Sequence, residues 1–140
     1  MNYQAVIFTI GHSSKTFDSF SSLLLENDIQ TVIDCRTNPR SRWSHFNKNA
    51  LEKRLSQLNI QYEFRGLNIG GLSANQLFEE TLDELAYRAR CGEQIVLMCS
   101  EGKAVECHRA TVLAPEIENR GVLVKHLAYP SNQSKYTQLL

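Results

Sequence analysis

The residues best suited to chemistry are Cys99, Cys107, His108 and Arg109. Cys99 closes the apolar run Ile95-Val-Leu-Met98, which reads as a buried strand. A polar stretch containing Gly102 follows, and Cys107 opens what reads as a helix. A thiolate is both nucleophile and metal ligand, and a helix start or a nearby cation lowers a thiol's pKa. Cys99 and Cys107 are therefore candidate nucleophiles, and His108 is a candidate acid or base. Arg109 lies in the first helical turn, where the macrodipole disfavours a cation. Such a residue calls for an acidic neighbour, here Glu101, Glu106 or Asp34, or for an anionic ligand.

Several alternatives remain open for this stretch. Cys99 also fits a small buried hydrophobe, a common role for free cysteine. Tyrosine phosphatases and sulfurtransferases place a nucleophilic cysteine at a strand end, but their loops reach arginine sooner. Glu101 and Glu106 intervene here, so a standard loop of either kind is excluded. Cys99, Cys107 and His108 lack the short cysteine spacing of usual zinc modules. A redox pair is open too, although the motif is not C-x-x-C. No metal or cofactor is assigned from the sequence. Cys35 and Cys91 read as packing residues.

Two further loops carry polar residues directly after apolar runs. His12 and Ser13 follow Gly11, where the imidazole can act as acid, base or ligand or can cap the next helix. Asp34 follows Thr31-Val-Ile33 and can orient a base, bind a ligand or pair with Arg36. Arg36, Arg40 and Arg42 share one loop with Pro39, Trp43, His45 and Phe46. Guanidinium forks match phosphate and carboxylate geometry, and an aromatic ring can stack on a base. The plainer reading is a solvated loop with Trp43 packed on the core. His45 and His126 read as structural.

These loops need a scaffold, and the chain supplies its pattern. Apolar runs at residues 5–10, 31–35, 61–64, 94–99 and 122–127 read as strands, several buried on both faces as in a parallel sheet. Phe17, Phe20 and Leu24 form a helical stripe with Thr16 as N-cap. Leu51, Leu55 and Leu58 form a second. Ser73-Ala-Asn-Gln76 resembles a capping box before Phe78, Leu82, Leu85 and Ala89. The pair Gly70-Gly71 permits a tight or positive-φ connection. A fourth helix should run from near Cys107 to before Gly121, kinked or divided by Pro115. The whole chain, 1–140, thus reads as one three-layer α/β domain: a mainly parallel sheet of about five strands with helices on both faces. In such a sheet the three polar loops leave the same edge, where ligands bind.

Composition narrows the function. The chain has 140 residues, is 42% hydrophobic and carries 15 basic against 15 acidic residues. Zero net charge argues against coating nucleic acid by bulk electrostatics, though a local basic patch can still bind it. No apolar run approaches a membrane span, and the first residues lack a signal-peptide pattern. A cytoplasmic setting with reduced cysteines is the expectation.

The chain resembles domain-of-unknown-function family 488. The resemblance is carried by Thr9-Ile-Gly-His-Ser13, Val32-Ile-Asp-Cys-Arg36, Pro39-Arg-Ser-Arg42, Gly70-Gly71, Leu97-Met-Cys-Ser-Glu101 and Cys107-His-Arg109. Cys35 stands where the family pattern usually has valine, and Gly102-Lys-Ala-Val105 departs from its more acidic loop. The resemblance implies a compact α/β domain and no particular activity.

The functional expectation is an anion-binding crevice for a phosphate- or carboxylate-bearing ligand, such as a nucleotide or a nucleic-acid end. Ser13, Arg36, Arg40, Arg42 and Arg109 would bind it. Cys99, Cys107, His108, His12, Asp34 and Glu101 are the candidate catalytic groups if the domain is an enzyme. A non-enzymatic binding module, and a metal or redox sensor built on Cys99, Cys107 and His108, are the alternatives.

Overall fold

The computed structural model describes residues 4–71, 75–101 and 107–130. Its centre is a five-stranded sheet with β1 at Val6–Gly11, β2 at Thr31–Asp34, β3 at Gln61–Phe64, β4 at Ile95–Cys99 and β5 at Leu123–His126. The order is β3-β2-β4-β1-β5, and every pairing is parallel. Parallel strands need helical crossovers that cover both faces. That explains why the central strands read as nearly continuous apolar runs.

Side-chain alternation divides the core in two. Phe8, Ile10, Val32, Val96 and Met98 face α1 (Phe17–Glu26) and α2 (Lys48–Gln57), packing with Phe20, Leu24, Leu51 and Leu55. Ile7, Ile33, Ile95 and Leu97 face the other way, onto Leu82, Leu85 and Ala86 of α4 (Phe78–Arg90) and onto Ile117 of α5 (Ala114–Glu118). Between β3 and α4 lies a helical turn, α3 (Gly66–Ile69).

Thr16 caps α1, its Oγ1 accepting from the Ser19 N–H at 3.1 Å. The N-terminus of α4 differs from the capping-box expectation. The helix starts at Phe78 after Leu77, which sits at φ 54. Ser73 and Ala74 lie outside the described residues. Asn75 instead braces the preceding loop, accepting from the Gly70 N–H at 3.1 Å and donating to the Gly70 carbonyl at 2.9 Å. Gly70 is not left-handed either, having φ −76. Its small size matters because a Cβ there would meet the Gly66 carbonyl and the Thr37 hydroxyl.

Pro115 does divide the last helix. Arg109–Leu113 is a π-helix, and the Ala114 N–H bonds back to the Arg109 carbonyl. Proline cannot donate to the preceding turn, so its place at the first turn of α5 leaves the ladder intact beyond it. Among the described residues, no helix is long and apolar enough to cross a membrane.

The connections make β4 the switch point of the sheet. The helices after β1 and β2 lie on one face, whereas the helix after β4 lies on the other. β4 sits between β1 and β2. The loops leaving β4 and its two neighbours therefore part at the carboxyl edge, opening a crevice there. Cys99 is the last residue of β4.

Candidate active site at the end of β4

Backbone bonds hold the three loops together. The His12 N–H donates to the Cys99 carbonyl and the Ser13 N–H to the Ser100 carbonyl, both at 2.9 Å. On the other side the Cys35 N–H donates to the Met98 carbonyl at 2.9 Å. His12, Asp34, Arg36, Cys99 and Glu101 thus gather at one sheet edge, as their positions after strands imply. A cavity of about 280 Å³ opens there, lined by Cys35, Arg36, Thr37, Asn38, Gly71, Cys99, Ser100, Glu101, Cys107 and His108.

Two constellations surround this edge. The first is an acid, a guanidinium and an imidazole. Asp34 accepts from Arg36 Nε at 2.9 Å, from Arg36 Nη2 at 2.8 Å and from the Arg36 N–H at 3.1 Å. The Tyr62 hydroxyl donates to the same carboxylate at 2.5 Å, and burial together with this bond pushes the phenol's pKa upward. Asp34 is wholly buried, so these donors must replace its hydration.

Arg36 Nη1 reaches His12 Nε2 at 3.4 Å, and His12 Nδ1 lies 2.8 Å from the Ser13 carbonyl. A carbonyl only accepts, so Nδ1 carries the proton and Nε2 receives from Arg36. Burial, with Arg36 adding to it, lowers the His12 pKa to about 4. The neutral ring stacks on Phe46 with centroids 4.4 Å apart. Asp34 therefore orients Arg36, and Arg36 in turn meets His12.

The second constellation holds the sulfurs. Cys99 Sγ and Cys107 Sγ are 2.7 Å apart. Arg109 Nη1 donates both to Cys99 Sγ and to the Glu101 carbonyl, each at 2.5 Å. Arg109 is 1% exposed, the largest fully buried side chain described. The Cys107 thiol is lowered to about 6, first by its hydrogen bond from Cys99 and then by the backbone and charge of Arg109, against burial. The same bond and burial push the Cys99 pKa up. The pair behaves as a unit, losing one proton readily and holding the other.

Gly11 makes room for this arrangement. It lies beside Cys99 in the β1–β4 register. A Cβ on Gly11 would run into the Glu101 carbonyl and stand 2.8 Å from Arg109 Nη1. His108 lies at the other wall, its Nε2 donating to the Ile69 carbonyl at 3.0 Å, which leaves Nδ1 as the acceptor nitrogen.

The arginine loop is not all in the crevice. Arg40 lines a separate depression of about 590 Å³ with Pro39, Ser41, Asn47, Lys48 and Asn49. Arg42 is exposed and lies 5.7 Å over the Trp43 ring. Trp43 is 39% exposed rather than packed into the core. Glu101 is exposed at the crevice lip, and Glu106 lies outside the described residues.

Some participants escaped the sequence reading. Cys35, read as a packing residue, is indeed buried, but it also lines the crevice. Burial, Asp34 and Cys107 push its pKa up. Cys91 is not a packing residue, because it is exposed just beyond α4. Tyr62 carries no chemical signal in its own stretch of sequence, although strand alternation puts it on a face with its register partner Val32 and so near Asp34. Among the described residues, no three His, Cys, Asp or Glu side chains group to hold a metal ion. The zinc arrangement of Cys99, Cys107 and His108 therefore finds no geometric support there.

The fold and site define an all-parallel α/β domain whose switch-point crevice sets two thiols against a buried arginine. The family model described as Domain of unknown function DUF488 matches residues 16–76, and this chain is similar to that family. The matched stretch includes the loop from Asp34 to Arg42 and the Gly70-Gly71 pair, whereas both Thr9–Ser13 and Cys99–Arg109 motifs fall outside it. None of the curated proteins matches the chain.

Proposed function

We propose that the crevice is a thiolate-based catalytic site acting on a small ligand. The carrying observation is the 2.7 Å contact between Cys99 and Cys107, with Arg109 bonded to Cys99. Both residues line the cavity; Cys99 is half-buried, and Cys107 is 7% exposed. The Cys107 thiolate accepts the Cys99 proton as Cys99 attacks, and Arg109 stabilises the charge that moves onto Cys99. A cytoplasmic, reducing setting keeps both thiols available.

A phosphate or carboxylate on the ligand would meet hydrogen-bonding groups on Thr37, Asn38 and Ser100 at the cavity wall. Arg36 and Arg109 contribute positive potential, which Asp34 and the thiolate offset. This balance favours thiol chemistry over anion capture as the main task of the crevice. A second reading keeps the non-enzymatic binding role, for a phosphate-bearing ligand or nucleic-acid end, in the depression where Arg40 and Lys48 stand together.

The test is the rate of iodoacetamide alkylation of the folded protein as a function of pH, in a Cys91→Ser background. The Cys99–Cys107 pair should lose its first proton, held at Cys107, with a midpoint near pH 6, whereas an ordinary cysteine titrates near pH ~8.5. In Cys107→Ser the midpoint near pH 6 should disappear, and Cys99, freed of the bond that pushes its pKa up, should come down towards the ordinary value. Titration of both thiols like free cysteine, or complete resistance of the folded protein, overturns the thiolate reading.

A further inference from the structure

We propose that the crevice performs dithiol–disulfide exchange with a small disulfide, Cys99 making the attack and Cys107 resolving the adduct. This rests on the thiolate reading above and names its substrate class. The two sulfurs are in contact at 2.7 Å. A cysteine that works alone as a nucleophile needs no second thiol against its sulfur. Access is also unequal. Both residues line the cavity, but Cys99 is half-buried whereas Cys107 is only 7% exposed. This difference in exposure suits Cys99 to meet the external disulfide and Cys107 to resolve the adduct. The cavity, about 280 Å³, suits a small disulfide better than a folded protein.

The steps balance. Cys99 gives its proton to the Cys107 thiolate and attacks one sulfur of R–S–S–R′. A Cys99–S–S–R bond forms, the R–S–S–R′ bond breaks, and R′S⁻ leaves. R′S⁻ takes the proton from Cys107 and departs as R′SH. The Cys107 thiolate then attacks Cys99 Sγ, forming the intramolecular disulfide and expelling RS⁻. The dithiol is oxidised and the small disulfide reduced, with one negative charge before and after. Attack proceeds through a mixed disulfide, so removing the resolving thiol should trap it.

The experiment uses reduced full-length protein in a Cys91→Ser background, because Cys91 is exposed. It is mixed with glutathione disulfide and read by intact mass and non-reducing peptide mapping. The parent should end as a Cys99–Cys107 bridge with no retained glutathione. Cys107→Ser should retain one glutathione on Cys99, and Cys99→Ser should react at least roughly tenfold more slowly, since its remaining thiols are buried. If Cys107→Ser does not fold, rapid acid quenching of the parent should reveal the Cys99 adduct before the bridge. A stable mixed disulfide on the parent, or a bridge that bypasses Cys99, overturns the exchange. Normal iodoacetamide reactivity without reaction towards glutathione disulfide overturns the exchange and leaves the thiolate reading standing. Failure towards both reagents overturns both.

Discussion

Asp34→Asn is the sharpest test of what holds the crevice in place. The substitution keeps the side chain's shape and removes its charge. Asp34 and Arg36 have side-chain exposures of 0% and 3%, so water cannot take over from either partner. Every neighbour of the carboxylate is a donor: the Arg36 Nε and backbone N–H on one oxygen, the Arg36 Nη2 and Tyr62 hydroxyl on the other. An asparagine NH₂ on either side therefore faces donors. Breaking one partner from a buried ion pair costs about 3–5 kcal/mol. That is a large share of the ~5–15 kcal/mol that stabilises a typical domain. Tyr62→Phe removes a single hydrogen bond to a charged group, expected to cost about 1.5–3 kcal/mol. Urea denaturation at neutral pH separates the two, and with a slope of ~2 kcal/mol per molar, Asp34→Asn should lower the midpoint by roughly 2 M. Adding Arg36→Met should recover part of the loss, because the stranded charge is then gone. A cost below about 1 kcal/mol for Asp34→Asn at unchanged slope, or a larger cost for Tyr62→Phe, would refute the claim that this carboxylate anchors the loop.

Other consequences follow from individual contacts. His12 is buried neutral with its pKa lowered from 6.5 to about 4, so the unfolded chain takes up its proton first as pH falls. Its contribution is complete above 6.5 and is lost progressively between 6.5 and about 4, at up to roughly 1.4 kcal/mol per pH unit. His12→Gln should flatten that slope in acid denaturation, and an unchanged slope would count against a neutral His12. Gly11→Ala would drive a Cβ into the Glu101 carbonyl and Arg109, costing about 1–3 kcal/mol by overpacking. It should also alter thiol reactivity, and a variant matching the parent in both melting and alkylation would refute the close approach. Arg40→Gln with Arg42→Gln should leave the thiol pH profile unchanged, because neither residue lines that cavity. The same pair should weaken binding of an inorganic polyphosphate and flatten its salt dependence. Equal binding at low salt would remove the second reading.

The βα alternation, the parallel sheet and the edge at which polar loops gather were all legible along the chain. These depend on local periodicity: apolar runs short enough for strands, stripes at helical spacing and a threonine cap. Pro115 announced its break because a missing N–H acts whatever the surroundings. Periodicity also located His12, Asp34 and Cys99 just past strand ends, which fixed their common edge once the sheet was parallel.

Which of those residues meet depends on packing in three dimensions. Asp34 and Cys35 are adjacent in the chain, yet Asp34 joins Arg36 and Tyr62 in one constellation while Cys35 packs in the core cluster on the opposite side of the sheet. Alternation sends neighbouring residues of a strand to opposite faces. Three arginines that looked equivalent in one loop separated: Arg36 turned inward to a buried carboxylate, Arg40 lined another depression, and Arg42 stayed in solvent over Trp43. Cys99 and Cys107 are far from a C-x-x-C spacing, and only the return of the chain from β4 into the π-helix brings their sulfurs into contact. Sequence spacing limits how far apart two side chains can be. Their actual distance depends on where packing and the crossover place the two backbones, and no local pattern records that.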